Sequence, residues 1–484
     1  MTADYIAFHA QERPDAVAYV DNGRAVSYGA IARDVRRFTR AIREFGIPAG
    51  GVAAVGCEQP YLHLLILLAC ERLGLATASL TAREERSVLP LLDGADLLIS
   101  EFPPPPGARP RLRHEITQSW VDRVLGLPDA DEAALPLPPA ESPLRILRTS
   151  GTTGTSKRLH LTRRMLDFWT HRWIWLYGLG VRSRVMTALP FAIGGAYAQV
   201  CACLRAGGTV VRENRMEVPQ ALRLHSIDLV VLLPVFLRDV LGTIPAGFER
   251  QGPLVVATFG GAIQPGLRAE AVARLCGAVS DMYGCNEVGF IGSNGLHRAG
   301  SYLDVWPGVA IEVTDDRDRP LPPGQLGRVR VRTESMFAGY IDDPDATRQM
   351  LRDGWFYPGD VGVLRGPRSL ELLGRGDDIL NFDGHKLMPE PLEEMIRKSA
   401  GHPELAVGAA LDADGATVLC VAVAEQGIAD AGLEARISSA VSRAGFRKFE
   451  LVRVPGIPRN VAGKIQRHLL KAEIAAARQI PPRE

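Results

Sequence analysis

The chain has 484 residues, 46% hydrophobic and 23% charged, with a formal net charge of +1. That length exceeds what one hydrophobic core organises, so two or more domains are expected. The balanced charge gives no reason to expect nucleic acid or an anionic membrane surface as a partner. Seven cysteines (Cys57, Cys70, Cys201, Cys203, Cys276, Cys285 and Cys420) are scattered without a CxxC pair. Their scatter argues against a zinc site or a disulfide framework and fits a reducing compartment. The opening MTADYIAFHAQERPD carries acidic residues and lacks the apolar stretch of a signal peptide. The most apolar run, residues 62–69, soon meets Glu71 and Arg72. It predicts a buried helix rather than an integral membrane segment, and the cytoplasm is the expected location.

Residues 17–20 and 24–27 read as a strand pair around the turn Asp21-Asn22-Gly23. A helix is expected over 28–45, a strand over 51–55, a buried helix over 61–73 and a strand over 97–100. This alternation implies a sheet with helices on its faces. The run EFPPPP at 101–106 suits neither a helix nor a central strand. Residues 134–143 are again rich in proline, and 101–143 is read as a connecting region. A strand at 146–148 leads into TSGTTGTSK, residues 149–157. An aromatic-rich helix follows over 163–177, then a strand over 185–189 and the segment Pro190-Phe191-Ala192-Ile193-Gly194-Gly195. Short apolar strands recur at 209–211, 229–233, 254–259 and 279–282. Two of these end at glycine-bearing turns, the positions where open α/β sheets bind ligands. Residues 300–375 alternate strand and turn. Beyond them the pattern changes to a helix at 391–398, strands at 405–411 and 418–424, a helix at 430–444 and a loop at 458–464. This is an α+β unit of about 110 residues, an ordinary domain size.

The stretch 149–157 sets two glycines around two threonines, with Ser150 before them and Lys157 at the close. Glycines let backbone N–H groups converge on an anion, and the hydroxyls and ammonium add donors suited to phosphate oxygens. The spacing is not that of a P-loop, which needs a Gly-Lys pair. It closely resembles the phosphate loop of the adenylate-forming superfamily: acyl-CoA and aryl-CoA ligases, adenylation domains and luciferases. Ser156 stands where that family usually has proline. Further motifs follow in the family's order. Gly260-Gly261-Ala262 matches the turn along adenine and the acyl group. Asp281 to Glu287 (DMYGCNE) resembles YGxTE, with Asn286 in place of threonine. Gly354 to Asp360 (GWFYPGD) resembles WxxTGD, with Pro358 in place of threonine. Gly374-Arg375-Gly376-Asp377-Asp378, with Gly384, Lys386, Pro389 and Glu393, resembles the hinge motif, and Asn381 replaces its lysine. Pro458 to Ile465 (PRNVAGKI) resembles the C-terminal lysine motif. Leu321-Pro322-Pro323-Gly324 and Gly339-Tyr340 also follow the family.

The resemblance implies an α/β fold. A large N-terminal domain of layered sheets and helices, 1–375, would bind ATP and the acid; a small mobile α+β lid, 376–484, would follow. It implies activation of a small-molecule carboxylic acid by ATP and Mg²⁺ to an acyl-adenylate, then thioester formation with coenzyme A. Lys464, Thr152 and Glu287 would be catalytic, with Glu287 holding the metal. Thr149, Ser150, Gly151, Thr153, Gly154, Lys157, Gly260, Gly261, Ala262, Asp281, Tyr283, Gly284, Asn286, Asp360, Arg375 and Gly384 would bind the nucleotide and cofactors. Asp377 would be the hinge. Phe191, Ala192, Ile193, Gly261 and Cys285, with Val235 and Phe236, suggest an apolar acid pocket, although such residues suit a core equally. Members of that family that activate amino acids use an aspartate after the phosphate loop; residues 186–199 here contain no acidic side chain, which argues against an α-amino acid. The chain, compact for such a ligase, fits an aryl or a short to medium acyl acid better than a very long one. Two alternatives stay open. One is an adenylation enzyme that loads the phosphopantetheine arm of an acyl carrier protein. The other is a non-catalytic nucleotide-binding homologue, suggested by the departures at Ser156, Asn286, Pro358 and Asn381.

Overall fold

The computed structural model describes residues 1–81, 88–129, 136–149, 157–213, 218–294, 302–378, 380–382, 385–387, 389–402, 404–411, 417–425, 432–446, 449–459 and 465–478. A six-stranded sheet runs in the order Leu112–Glu115, Leu97–Ser100, Val52–Gly56, Ala76–Leu80, Pro143–Arg148, Arg158–Thr162. Its pairs are parallel except the last, an antiparallel hairpin. Leu97–Ser100 and Ala76–Leu80 are buried along their whole length, as strands covered on both faces must be. A fifteen-stranded sheet is parallel through Val17–Asp21, Thr209–Arg212, Arg184–Thr187, Leu229–Leu232, Gln251–Phe259 and Cys276–Cys285. From Gly289–Asn294 onward its pairs are antiparallel. The expected strand pair at the N-terminus forms, with Asn22 and Gly23 at φ 46° and 81°, a conformation that suits this two-residue hairpin.

Helices Pro60–Arg72 and Gly194–Arg205 are enclosed on nearly all sides. A helix with no solvent face belongs in the middle of a molecule. One core joins their side chains to those of both sheets, Val55 and Leu97 on one side and Val185 and Val231 on the other. Gly194–Arg205 had no legible signal: it opens on two glycines and is rich in alanine. The expectation that 101–143 merely connects is corrected. The region adds the edge strand Leu112–Glu115 and a helix, Gln118–Leu125, started by the Thr117 hydroxyl accepting from Trp120 N at 3.2 Å. Trp120 and Val124, four residues apart, are buried, and the Trp120 ring meets Phe38 edge to face at 5.5 Å.

Toward the C-terminus, strands Leu405–Leu411, Thr417–Ala424 and Phe449–Val454 form a separate sheet. Leu392, Ile396, Val407, Val421 and Ile437 build one core on it. Ala406, Ala422, Val452, Leu470 and Ile474 build a second. Because alternate residues of a strand face opposite ways, the two cores cover opposite faces. Glu393 in helix Pro389–Ala400 is 1% exposed and accepts from Val407 N at 2.8 Å and from Arg397 and Arg467 at 3.0 and 2.5 Å. Arg467 also reaches Glu390 at 3.2 Å and Asp378 at 3.9 Å. Among the described residues no helix is long and apolar enough to cross a membrane.

Candidate active site

The hairpin Pro143–Arg148 / Arg158–Thr162 pairs Arg148 with Arg158, and Thr149 N donates to Lys157 O at 2.8 Å. The two ends of the glycine-rich loop are therefore closed on each other. Ser150, Gly151, Thr152, Thr153 and Gly154 lie outside the described residues. The Lys157 ammonium sits 5.0 Å from the centre of the Tyr340 ring, within cation–π range. The Tyr340 hydroxyl donates to Glu287 Oε1 at 2.8 Å. Glu287 is 7% exposed, and its carbonyl accepts from Phe337 N at 2.8 Å. Ile341 N donates to Arg158 O at 2.8 Å, so the chain around Tyr340 is stitched to the loop's outgoing strand. Lys157 and Glu287, far apart in sequence, meet through Tyr340. Sequence reasoning did not nominate this tyrosine. Its one local signal is the preceding Gly339, at φ 151° with the position of a Cβ only 2.9 Å from Thr347 Cγ2.

A second convergence lies at the end of strand Cys276–Cys285. Tyr283 donates its hydroxyl to Asp360 Oδ2 at 2.5 Å. Asp360 pairs in register with Arg375, whose guanidinium lies 3.4 Å from Asp360 Oδ1 and donates to Pro358 O. Burial, and then the Asp360 carboxylate, push the Tyr283 hydroxyl well above the usual tyrosine range. Gly359, at φ 82°, leaves room for that guanidinium, which would sit 2.8 Å from a Cβ. Asn286 Nδ2 donates to Arg148 O at 3.2 Å, so this departure from the family's threonine ties the strand end to the base of the glycine-rich loop. Gly284 is half-buried between Tyr283 and Cys285.

The turn Gly260-Gly261-Ala262 connects strand Gln251–Phe259 to helix Pro265–Arg274. Gly260 has φ 86°, a region that favours glycine. Asp281 holds this turn: it accepts from Thr258 Oγ1 at 2.8 Å and from Ile263 N at 3.2 Å. Burial raises its carboxyl from the usual 3.8 to about 6, against those two bonds and the nearby Arg268. A raised carboxyl favours folding fully below about pH 3.8, and the contribution is lost as pH rises through about 6. The loss is on the order of 3 kcal/mol. Asp281→Asn is expected to remove this slope: Tm followed from about pH 4 to pH 6.5 should fall less for the variant than for the parent. An equal slope in both would show that Asp281 is not the group responsible.

On the acid side, Phe191 is 1% exposed, enclosed by the rings of His63 and Tyr197 at 5.3 and 5.9 Å. Its ring belongs to the core beneath the 190–195 segment, the other place such residues suit. Ala192, Ile193, Gly261 and Cys285 are half-buried. Burial and the neighbouring Glu287 hold the Cys285 thiol well above its usual range. The thiols of the other six cysteines, all buried, are raised too, with burial the main cause. Gly384, Lys464 and the Asp377 side chain lie outside the described residues. The ends of the loop that carries Lys464 meet, however: Arg459 bridges Ile465, and Gln466 N donates to Pro458 O at 2.8 Å.

Among the described residues no three His, Cys, Asp or Glu side chains cluster as a metal cage would. The buried Glu287 carboxylate fits a different site, in which Mg²⁺ takes one protein carboxylate and most of its other oxygens from phosphates and water.

A hairpin-closed glycine-rich loop, a lysine–tyrosine–glutamate cluster and a tyrosine–aspartate–arginine cluster meet around the end of strand Cys276–Cys285, an arrangement suited to a nucleotide in an α/β protein. The family model described as AMP-binding enzyme matches residues 6–341, and the chain belongs to that family. It is 28% identical to the indoleacetate–CoA ligase of Aromatoleum aromaticum, with 98% of each chain covered. It is also 28% identical to the fatty acid–[acyl-carrier-protein] ligase ScoC of Streptomyces coeruleorubidus, with 96% of this chain and 95% of that one covered. The fold is similar to that of the anthranilate CoA ligase AuaEII in complex with anthranoyl-AMP, at a TM-score of 0.86, 18% identity and coverage of 99% of this chain and 98% of that one.

Proposed function

We propose that this protein activates a carboxylic acid with ATP to an acyl-adenylate, releasing pyrophosphate, and then forms a thioester with coenzyme A. Family membership and near-complete coverage of relatives named as CoA ligases support the activity. The observation that carries it to these residues is the meeting of Lys157, Tyr340 and Glu287 beside the closed ends of the glycine-rich loop. A carboxylate is a poor electrophile, and a mixed anhydride with AMP is a good one. The first step needs cations and donors around the triphosphate as charge shifts during transfer. Lys157 and the loop hydroxyls of Thr152 and Thr153 supply them, with Ser150 and the backbone at Thr149, Gly151 and Gly154. Glu287 would hold Mg²⁺, which supplies charge neutralisation on the phosphates. Tyr283, Gly284 and the 260–262 turn would hold the base. Asp360 and Arg375 would hold the ribose.

Residues 1–375 then form the ATP- and acid-binding domain and 376–484 the lid. The lid pivots near Asp377, bringing Lys464 to the first step and the surface near Gly384 to the second, a domain rotation between two closed states. The acid is aryl or short to medium acyl, seated against Ala192, Ile193, Gly261 and Cys285. A second acceptor, the phosphopantetheine arm of a carrier protein, is favoured by the likeness to ScoC, a ligase named for that transfer. The deciding experiment is acid-dependent pyrophosphate release with ATP and Mg²⁺ over aryl, short, medium and long acids, with and without coenzyme A. Acceleration by coenzyme A for one acid class is the expected result. Adenylation indifferent to coenzyme A but answered by a carrier domain would install the second acceptor, and silence across the panel would oppose the proposal.

Tyr340→Phe is expected to lower kcat/KM for pyrophosphate release roughly 10- to 100-fold, the worth of a hydrogen bond to a buried carboxylate. The Mg²⁺ concentration giving half-maximal rate should rise with it. A variant with unchanged Mg²⁺ response would separate Tyr340 from the metal site.

A further inference from the structure

Two buried arginines hold one short loop from opposite sides. Arg145 lies on strand Pro143–Arg148, which runs into the glycine-rich loop, and is 0% exposed. Its Nη2 donates to Ser79 Oγ at 2.7 Å and to Phe191 O at 2.9 Å, and its Nη1 to Thr77 Oγ1 at 3.3 Å. Its guanidinium lies 4.3 Å from the centre of the Tyr197 ring, and the Tyr197 hydroxyl in turn donates to the buried Glu71. Arg212, at the end of strand Thr209–Arg212 and 7% exposed, donates from Nη1 to Leu189 O at 2.7 Å. Its guanidinium lies 5.1 Å from the Phe191 ring. The carbonyls on either side of Pro190 are thus each held by a charge-assisted donor, with the Phe191 ring packed beside both.

Buried charges are a poor route to stability, because desolvation offsets most of what their contacts return. A planar guanidinium is, however, well suited to fixing several acceptors at once. The loop so fixed carries Ala192 and Ile193 and opens helix Gly194–Arg205. At Gly194 a Cβ would lie 3.1 Å from Asn286 Oδ1, and Asn286 holds Arg148 O.

We infer that Arg145 and Arg212 are positioning residues that clamp the 189–193 loop and thereby set which acid the site accepts. The inference rests on the reading that Ala192 and Ile193 face the acid. Displacing a binding group by an ångström is enough to cost a reaction about 10²-fold, so a loosened clamp acts chiefly on the acid. The test uses the full chain with Arg145→Lys, Arg212→Met and the milder Ser79→Ala, which removes one of the acceptors of Arg145 Nη2. Ala192→Leu changes the loop surface itself. KM for acid, KM for ATP, kcat and the rank order of a panel of acids are measured, with Tm to confirm folding.

In the clamp variants KM for the acid should rise about tenfold and the rank order should change. KM for ATP should stay within about twofold. Rates that fall only in proportion to folded protein, with both KM values and the rank order kept, would overturn the clamp. If Ala192→Leu alters acid preference and the arginine variants do not, the clamp fails and the acid-site reading stands. If Ala192→Leu leaves acid preference unchanged, the acid-site reading itself fails. Should Arg145→Lys not fold, Ser79→Ala and Arg212→Met carry the same comparison.

Discussion

Lys464→Ala is expected to lower acid-dependent pyrophosphate release by at least about 10²-fold, the effect of removing one well-placed electrostatic donor from a transition state. Thioester formation from supplied acyl-adenylate should largely survive. The asymmetry follows from the proposed lid movement and from the loop that carries the lysine. Its loop is closed at the base by the Arg459–Ile465 bridge and the Gln466–Pro458 hydrogen bond. Arg467, three residues on, is fastened to Glu393 and Glu390 of helix Pro389–Ala400 and lies 3.9 Å from Asp378. Under the proposed pivot near Asp377, the loop that carries the lysine would travel with the small unit and present it to one half-reaction only. Both half-reactions are to be timed separately on the same preparation. Equal losses would sink the two-position mechanism and leave Lys464 as a residue of one fixed site.

Glu287→Gln should cost the adenylation step about 10²- to 10³-fold, a loss on the scale set by removal of a charge-stabilising group. The substitution isolates charge from shape. Glutamine keeps a carbonyl oxygen where Tyr340 donates at 2.8 Å, so Tm should move little. What goes is the negative charge of the buried carboxylate, the feature a divalent cation needs. Rate as a function of Mg²⁺ should consequently shift to higher concentration for Glu287→Gln, and further than for Tyr340→Phe, which leaves the charge in place. A Mg²⁺ response identical to the parent's would take the metal away from Glu287.

Much of the architecture was legible because its signals are local. Buried parallel strands such as Leu229–Leu232 are unbroken apolar runs, and the motifs that bear phosphate chemistry are contiguous. Gly194–Arg205 escaped because small residues at a helix's most crowded face carry little periodic contrast. Gln118–Leu125 escaped because proline-rich flanks hid a two-residue apolar stripe. The site's pairings were less accessible still. Tyr340 and Glu287 are 53 residues apart, Tyr283 and Asp360 77, and Asn286 and Arg148 138. No window of sequence contains both partners, so register and topology had to bring them together. Asp281 was equally hard to place from sequence: it sits inside a ligand motif, and its two oxygens hold the neighbouring turn through Thr258 and Ile263. Arg145 gave no warning at all, because a single arginine in a short strand has no pattern to violate.

The raised thiols have a bearing on the chemistry. A mixed anhydride of an acid with AMP acylates any thiolate within reach, and the reactive species is the thiolate, not the thiol. Cys285, the half-buried cysteine at the proposed pocket, is held protonated by its surroundings and by the carboxylate two residues on. The other six are buried, and burial raises their thiols as well. Burial encloses six of the sulfurs, and the seventh, Cys285, has its thiolate disfavoured, so acylation of the protein itself is expected to be slow beside transfer to an outside thiol.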